Sequence, residues 1–183
     1  MLETVDLKAR LTKSQYADAL KGLNIQLAQH QRDAREAGLP TLIVFEGWDA
    51  AGKGSILSRL LQSLDPRWFA VNNVGSPNDQ EKLWPPMWRF WRMLPADGRM
   101  AIYNHSWYLQ VLRERVEDKP APHELLAAYE RIRVFERQLA DGGAVIIKFF
   151  LHITKKEQAR RFKKLEQDPA YSWKVGKDER RAH

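Results

Sequence analysis

The stretch that decides the fold is TLIVFEGWDAAGKG, residues 41–54. A short apolar segment leads into a glycine-rich turn, and the turn opens a run with helical spacing. Gly47, Gly52 and Lys53 stand at the spacing G-x-x-x-x-G-K of a phosphate loop. In such a loop backbone N–H groups face the phosphates, the helix N-terminus adds positive partial charge, and the lysine reaches a terminal phosphate. The sequence therefore predicts a strand, a phosphate-binding loop and a helix in succession.

Gly54 stands where a phosphate loop usually has the serine or threonine that holds Mg²⁺. Ser55 follows one residue late, and Asp49 lies inside the loop. Asp49 has two interpretations, a functional carboxylate beside the phosphates or an N-terminal cap of the following helix. A purely structural role for Lys53 is hard to reconcile with its place between an apolar strand and a helix.

Apolar periodicity extends this unit into a longer series of strands and helices. The predicted strands cover residues 41–46, 69–74, 99–103 and 144–151. The predicted helices cover residues 12–37, 55–64, 86–94, 106–116 and 123–140, and a basic helix begins at residue 154. Two residue pairs have the spacing of a capping box, Thr12 with Gln15 and Thr154 with Glu157.

The alternation of strands and helices predicts a three-layer α/β domain with a mostly parallel sheet flanked by helices and right-handed crossovers. Ligands of such sheets bind at the carboxyl ends of the strands. The phosphate loop and residues 104–108 each follow a strand, so we expect them at the same edge. The first helix precedes the sheet, which predicts an N-terminal helical arm at residues 1–38 and the domain proper at residues 39–183.

Charge and composition limit the classes of function. The chain has 183 residues, a net charge of +7 and no cysteine. The basic excess favours an anionic partner, with a merely soluble basic protein as the alternative. The absence of cysteine excludes a disulfide framework and a thiolate metal site. No apolar run approaches a membrane span or a signal peptide, so we expect a cytoplasmic location.

Four tryptophans lie between residues 68 and 91. Trp84, Trp88 and Trp91 are candidates for a surface on which a nucleobase stacks, and plain core packing is the alternative. Arg89 and Arg92 fall on a different face of the same predicted helix and are candidate phosphate contacts.

Several segments together resemble the polyphosphate kinase 2 family of phosphate-loop kinases, whose fold is similar to thymidylate kinase. They occur in the family's order within residues 40–175: GWDAAGKG with Arg59 downstream, WRFWRMLP, the SWY of NHSWY, ERV at residues 114–116, and KFFLHITKKEQARRF. The resemblance implies a P-loop kinase-like fold and a Mg²⁺-dependent transferase, a kinase that moves phosphoryl groups between inorganic polyphosphate and nucleotides.

The resemblance also implies roles for individual residues. Asp49, Lys53 and Lys148 are the implied catalytic residues, with Asp49 binding Mg²⁺ or orienting the attacking phosphate. A lysine in an apolar strand is costly to bury without a partner, which favours a function for Lys148. The alternative for Arg160 and Arg161 is a solvated helix face. The implied phosphate-binding residues are Gly47, Ala50, Ala51, Gly52, Lys53, Gly54, Ser55, Arg59, Arg160 and Arg161.

The chain departs from the family at residues 104 and 105. The family has Asp-Arg before its Ser-Trp-Tyr, whereas this chain has Asn104 and His105. Asn104, the second expected Mg²⁺ ligand, offers the metal a neutral carbonyl oxygen instead of a charged one. His105 lacks the permanent bidentate donor of arginine, and a packing role is its alternative.

Two hypotheses of function follow. The first is an enzyme that transfers phosphate from polyphosphate to a nucleotide, preferably AMP to ADP, with ADP to ATP as a second acceptor reaction. The second is a catalytically impaired domain that binds polyphosphate or nucleotide and supports an active partner domain. An ATP-dependent small-molecule kinase does not fit Gly54, and nucleic-acid binding lacks a base-recognition motif. The resemblance also implies a domain truncated at its C-terminus, in a homo-oligomer or fused to a second domain.

Overall fold

Four parallel strands form the central sheet, in the order β2-β3-β1-β4. The computed structural model describes residues 9–109, 111–112 and 121–169. β1 lies at the centre, where it pairs with β3 from Thr41↔Met100 and with β4 from Thr41↔Val145. The described pairings are all parallel, so the predicted α/β sheet is confirmed. The strands are β1 (Thr41–Gly47), β2 (Phe69–Asn73), β3 (Met100–Asn104) and β4 (Val145–Leu151).

Helices flank this sheet, and two of them differ from the prediction. The helix predicted over residues 86–94 is only one turn, Trp88–Trp91, and Leu94 lies outside it because Pro95 disfavours the helical conformation of the residue before it. The helix predicted over residues 106–116 is observed at residues 108, 109, 111 and 112, and its later part falls outside the described residues. The helices are α1 (Lys13–Glu36), α2 (Lys53–Leu61), α3 (Trp88–Trp91), α4 (Pro122–Asp141) and α5 (Lys155–Glu166). Across the described ranges, no helix is long and apolar enough to cross a membrane.

Side chains of β1 alternate between two apolar clusters, one on each face of the sheet. Leu42 and Val44 pack in the cluster that includes Phe135 of α4. Ile43 and Phe45 pack in the cluster that α2 covers. Both faces of β1 are therefore buried, which explains its unbroken apolar sequence.

The N-terminal helix packs on the domain mainly through its C-terminal half, and Asn24 at its middle accepts a hydrogen bond from Ser63 at 2.7 Å. Its capping box at Thr12 and Gln15 is present as predicted. Leu27 contacts the cluster under α2, and the buried Gln31 bonds both the N–H and the carbonyl of Asp65. Tyr16 and Leu23, on the predicted apolar face, remain exposed. The division into an arm and a domain stays a prediction.

β4 forms one edge of the sheet and is exposed in spite of its apolar sequence. It pairs with β1 on one side. Val145, Ile147, Phe149 and Phe150 are all exposed. The apolar composition of this strand therefore does not reflect burial within the described part of the chain.

Candidate active site

The phosphate loop lies at the carboxyl end of β1, the central strand. Gly47 has a φ of 130° and lies so close to the Leu151 backbone that a Cβ atom would overlap it. Gly52 has a φ of 105°, and Ala50 reaches a φ of 58° without being a glycine. These left-handed residues turn the chain from the strand into α2, whose N-terminus opens on the loop.

Lys53 is buried and bends back onto its own loop. Its Nζ donates to the carbonyl oxygens of Gly47 at 2.7 Å and Trp48 at 3.2 Å. It also lies 3.3 Å from the Asp49 carboxylate. A buried ammonium needs partners of this kind, and phosphate oxygens can replace them. The Nζ of Lys53 therefore lies within the phosphate loop.

Asp49 does not cap α2. The N-cap position belongs to Gly52, where no side-chain hydrogen bond is made. The carboxylate instead faces Lys53 and is partly exposed, with its side chain 31% accessible. Of the two interpretations of Asp49, the geometry favours the carboxylate beside the phosphates.

The first turns of α5 fasten the phosphate loop from outside. The Nη1 of Arg161 donates to the carbonyl oxygens of Ala50 and Ala51, both at 3.0 Å. The buried Gln158 donates to the carbonyl of Asp49 at 3.0 Å. We call these three bonds the loop clasp. Three consecutive carbonyls, including that of the strained Ala50, are thereby held in place.

Glu157 orients both arginines of α5. Its carboxylate accepts from Arg160 at 2.7 and 2.8 Å and from Arg161 at 2.7 Å. Hydrogen bonds from Arg160 and Arg161 hold the pKa of Glu157 at about 2, well below its usual range. Thr154 caps the helix by accepting from the Glu157 N–H, but the Glu157 carboxylate serves the arginines. The predicted capping box is therefore only half formed.

Glu46 joins the phosphate-loop strand to the turn after β3, and the sequence reasoning missed it. The carboxylate is buried and accepts from the backbone N–H and the hydroxyl of Ser106, both at 2.7 Å. Its other oxygen lies 3.1 Å from Nδ1 of His105, which has a φ of 60°. The sequence did contain a signal for Glu46, because a glutamate at the end of the apolar run TLIVF is expected to be buried, and a buried carboxylate requires hydrogen-bond partners.

Asn104 lies at the carboxyl end of β3, beside the phosphate-loop strand. Its Nδ2 donates to Oδ1 of Asn73 at 2.8 Å. Its own Oδ1 is buried and has no hydrogen-bond partner among the described residues. A buried carbonyl oxygen without a donor is a free acceptor for a cation or for a donor group of a ligand.

Lys148 belongs to a cluster on the α4 face of the sheet. Its Nζ donates to Glu136 at 2.8 Å and to the Tyr108 hydroxyl at 3.1 Å. Glu136 also accepts from Tyr108 and from Trp107. Burial alone would lower the pKa of Lys148, but the bonds to Glu136 and Tyr108 outweigh it and raise the pKa above its ordinary value. Lys148 is therefore a fixed positive charge and unsuited to accept a proton.

The remaining predicted phosphate ligands lie around α2. Ser55 and Gly54 occupy its exposed first turn. Arg59 is exposed and donates to Gln62 at 3.0 Å. The loop residues Gly47 to Gly54 thus form one continuous unit. Arg59 and Lys148 are not bonded to that loop in the described contacts, since Arg59 bonds Gln62 and Lys148 bonds Tyr108 and Glu136.

Comparison with known proteins confirms the family resemblance. A family model described as polyphosphate kinase 2 matches residues 10–183. The polyphosphate:AMP phosphotransferase of Pseudomonas syringae pv. tomato is 38% identical over 98% of this chain and 36% of its own length. The ADP-polyphosphate phosphotransferase 3 of Rhizobium meliloti is 35% identical over 87% of this chain and 56% of its own.

Solved structures show the same likeness. The crystal structure of a putative polyphosphate kinase 2 from Pseudomonas aeruginosa PA01 superposes with a TM-score of 0.90 at 39% identity, covering 97% of this chain and 39% of that one. The polyphosphate kinase 2 of Arthrobacter aurescens TC1 gives a TM-score of 0.89 at 29% identity, covering 98% and 66%. The chain thus spans between about a third and two thirds of these relatives.

Proposed function

Because the chain belongs to the polyphosphate kinase 2 family, we propose that it transfers phosphoryl groups from inorganic polyphosphate to a nucleotide. AMP is the preferred acceptor, giving ADP, and ADP is the second, giving ATP. The phosphate loop with its buried lysine is the observation that carries the proposal. It offers the N-terminus of α2, a lysine ammonium and a run of backbone N–H groups at the edge of the sheet where ligands of parallel sheets bind.

In the proposed reaction a phosphate oxygen of AMP attacks the terminal phosphorus of the polyphosphate. The bond from that phosphorus to the next bridging oxygen breaks, and the chain leaves one phosphate shorter. Negative charge spreads over the oxygens of the phosphoryl group in transfer. Lys53 and the loop N–H groups stabilise that charge, and their fixed positions avoid reorganisation during the reaction.

The residues present fit Mg²⁺. Magnesium typically takes one or two protein ligands and completes its shell with phosphate oxygens and water. The Asp49 carboxylate and the Oδ1 of Asn104, which has no partner within the described part of the chain, would hold the ion, which when bound would neutralise charge on the phosphates.

A turnover assay of the whole chain tests the proposal. The protein is incubated with Mg²⁺, polyphosphate and either AMP or ADP, and the nucleotide products are separated by chromatography. Lys53→Met should lower turnover by at least about 100-fold, because it removes a charge from the transition state. Lys82→Met is the control, since Lys82 is exposed and pairs only with Asp79 in the described contacts. Absence of product with every nucleotide would contradict the proposed reaction.

Asn104 and His105 favour a second candidate, a domain that binds polyphosphate or nucleotide without turnover. They lack the charges of the family's Asp-Arg, and Asn104 bonds a second neutral amide, Asn73. The double variant Asn104→Asp, His105→Arg separates the two candidates. Measurable turnover by the wild type that the double variant raises at unchanged affinity supports the enzyme, whereas tight binding with no turnover by the wild type supports the binding domain.

A further inference from the structure

A pair of stacked tryptophans, the exposed Trp84 and the half-buried Trp88, lies beside the candidate site. The rings of Trp84 and Trp88 are nearly parallel, with an interplanar angle of 8° and centroids 5.0 Å apart. Trp84 is 49% exposed, so it forms the outer member of the pair. The Arg92 guanidinium lies 4.8 Å from the Trp88 ring centroid, so the prediction that Arg92 falls on a different face from the tryptophans is wrong, because it follows Trp88 by one helical turn. We call Trp84, Trp88 and Arg92 the aromatic platform.

The platform is distinct from the core, although its residues come from the same tryptophan-rich segment. Phe90 is buried and packs edge-to-face on Trp107. Trp91 packs edge-to-face on Phe135, with centroids 5.0 Å apart. Core packing therefore explains Phe90, whereas Trp91 rests one edge on Phe135 and keeps 45% of its surface exposed. Trp84 contacts another tryptophan face-on and keeps about half of its surface open, which the core does not require.

The segment that carries Trp84 is held rigidly. Asn78 and Glu81 exchange hydrogen bonds between side chain and backbone, at 2.8 and 2.9 Å. The Trp84 N–H donates to the Glu81 carbonyl. Arg89 lies 3.4 Å from the Glu81 carboxylate and donates to the Gly75 carbonyl at 3.1 Å. A preformed aromatic surface binds a flat ligand at little cost in conformational entropy.

The platform also lies at the carboxyl edge of the sheet. Gly75, which Arg89 fastens, follows directly after Val74, whose N–H donates to the Asn104 carbonyl at 3.0 Å. Phe90 packs on Trp107, which comes three residues after Asn104. The platform and the phosphate loop are thus on the same edge, separated by the end of β3.

We propose that the aromatic platform binds the purine base of the acceptor nucleotide. Polyphosphate has no base, so only the acceptor offers a flat π-face for Trp84. The Arg92 charge beside the platform suits the phosphate of the same nucleotide. This inference rests on the proposed function, because it assigns the acceptor to the edge where the phosphate loop receives the donor.

Binding of AMP and of ribose 5-phosphate, which lacks the base, tests the platform without turnover. Calorimetry on the whole chain gives the ratio of the two dissociation constants, which measures the contribution of the base. In the wild type this ratio should be about tenfold or more, the usual effect of stacking one base on an aromatic side chain. Trp84→Leu should bring the ratio close to one, and Trp84→Phe should retain most of it.

Leu83→Ala is the matched control, because Leu83 is 82% exposed and belongs to the same segment. Leu83→Ala should leave the ratio of the AMP and ribose 5-phosphate dissociation constants unchanged. Trp84→Leu should leave the affinity for tripolyphosphate unchanged. A wild-type ratio near one, or a ratio that Trp84→Leu does not alter, would overturn the proposal. If Trp84→Leu does not fold, Trp84→Gln, a polar replacement suited to this exposed position, takes its place with the same expected loss of the ratio. If the base contributes to AMP binding through Trp84 but the turnover assay yields no nucleotide product, the platform proposal stands and the proposed phosphoryl transfer is contradicted.

Discussion

Arg161 makes its most informative contacts with residues far away in the sequence. Ala50 and Ala51 lie 111 and 110 residues before it, yet one of its nitrogens bonds both of their carbonyls. Carbonyl oxygens repel phosphate, so fixing them outward leaves the N–H groups of the loop to face the ligand. We therefore regard Arg161 as a positioning residue that acts on phosphate through the loop.

Arg161→Lys should weaken tripolyphosphate binding about tenfold. Lysine keeps the charge but cannot span Glu157 and two carbonyls at once, so at least one charge-assisted bond of the loop clasp is lost. Calorimetric titration measures the affinity. Arg133→Lys serves as control, because Arg133 is exposed on α4 and pairs with Glu130.

Gln158→Leu separates positioning from direct contact with phosphate. Gln158 carries no charge, so its loss cannot remove an attraction to phosphate, but it removes the bond to the Asp49 carbonyl. We expect a loss of about three- to tenfold in tripolyphosphate affinity, with an unchanged salt dependence of binding. If Arg161→Lys weakens binding and Gln158→Leu does not, Arg161 contacts the phosphates itself.

Gly54 has no reason in the fold to be a glycine. A Cβ atom at this position would meet nothing within 4 Å, and the φ of Gly54 is not left-handed. Gly54→Ala should therefore stabilise α2 by about 0.5–1 kcal/mol. Thermal unfolding measures the gain. We expect tripolyphosphate affinity to fall in the same variant, because the added methyl group occupies the mouth of the loop. A variant that binds as well as wild type would show that no ligand approaches residue 54 closely.

At the level of residues, the sequence predicts what local spacing determines. The loop glycines and Lys53 are found where G-x-x-x-x-G-K puts them, because the motif is contiguous. Glu46 and Gln158 were not predicted, since their partners lie 60 and 109 residues away. A local sequence pattern does not predict a hydrogen bond between residues so far apart in the sequence.

The stability of helix α5 should depend on acid, as should that of the Asp65–Arg67 turn, where bonds from Arg67 lower the pKa of Asp65 to about 2. The pKa of Glu157 in the folded chain is about 2, compared with about 4.3 for an unperturbed glutamate. A lowered folded pKa gives stability that is present above the unfolded value and is lost as pH falls toward the folded value. The free energy of unfolding should therefore decline between about pH 5 and pH 2.

Glu157→Gln should show a shallower decline over this window than the wild type. The measurement is urea unfolding at a series of pH values, followed by circular dichroism. Glu130→Gln provides the comparison, since Glu130 has one exposed arginine partner and lies on α4. Equal slopes for wild type and Glu157→Gln would mean that the arginine bonds of Glu157 add nothing to folding.

At the level of elements, strands and long helices follow from the sequence, and short ones do not. β1, α1 and α4 have apolar periods long enough to fix their type. The one-turn α3 does not, and its aromatic side chains divide between the core and the exposed platform. Which ring packs inward depends on later segments, since Phe90 contacts Trp107 and Trp91 contacts Phe135.

The sheet edge at β4 should make the chain self-associate. Phe150 is 53% exposed on a strand whose other backbone side has no strand partner in the described residues. Exposed apolar edge strands pair with other chains, and a lysine on the edge opposes this. Phe150→Lys should reduce concentration-dependent association in sedimentation velocity. Leu126→Lys, on the exposed side of α4 with 68% accessibility, should not. Similar association of all three proteins would place the contact elsewhere.

The central position of β1 has a consequence for synthesis of the chain. β1 is made first among the strands, but its two neighbours begin at Met100 and Val145. At roughly 5–20 residues per second, a ribosome needs about 5–20 s to advance from β1 to β4. During that interval the β4-facing edge of β1 is unpaired, so this apolar strand can bind apolar surfaces of other proteins. We expect nascent chains stalled before residue 145 to bind ribosome-associated chaperones. Chains extended beyond β4 should dissociate from those chaperones.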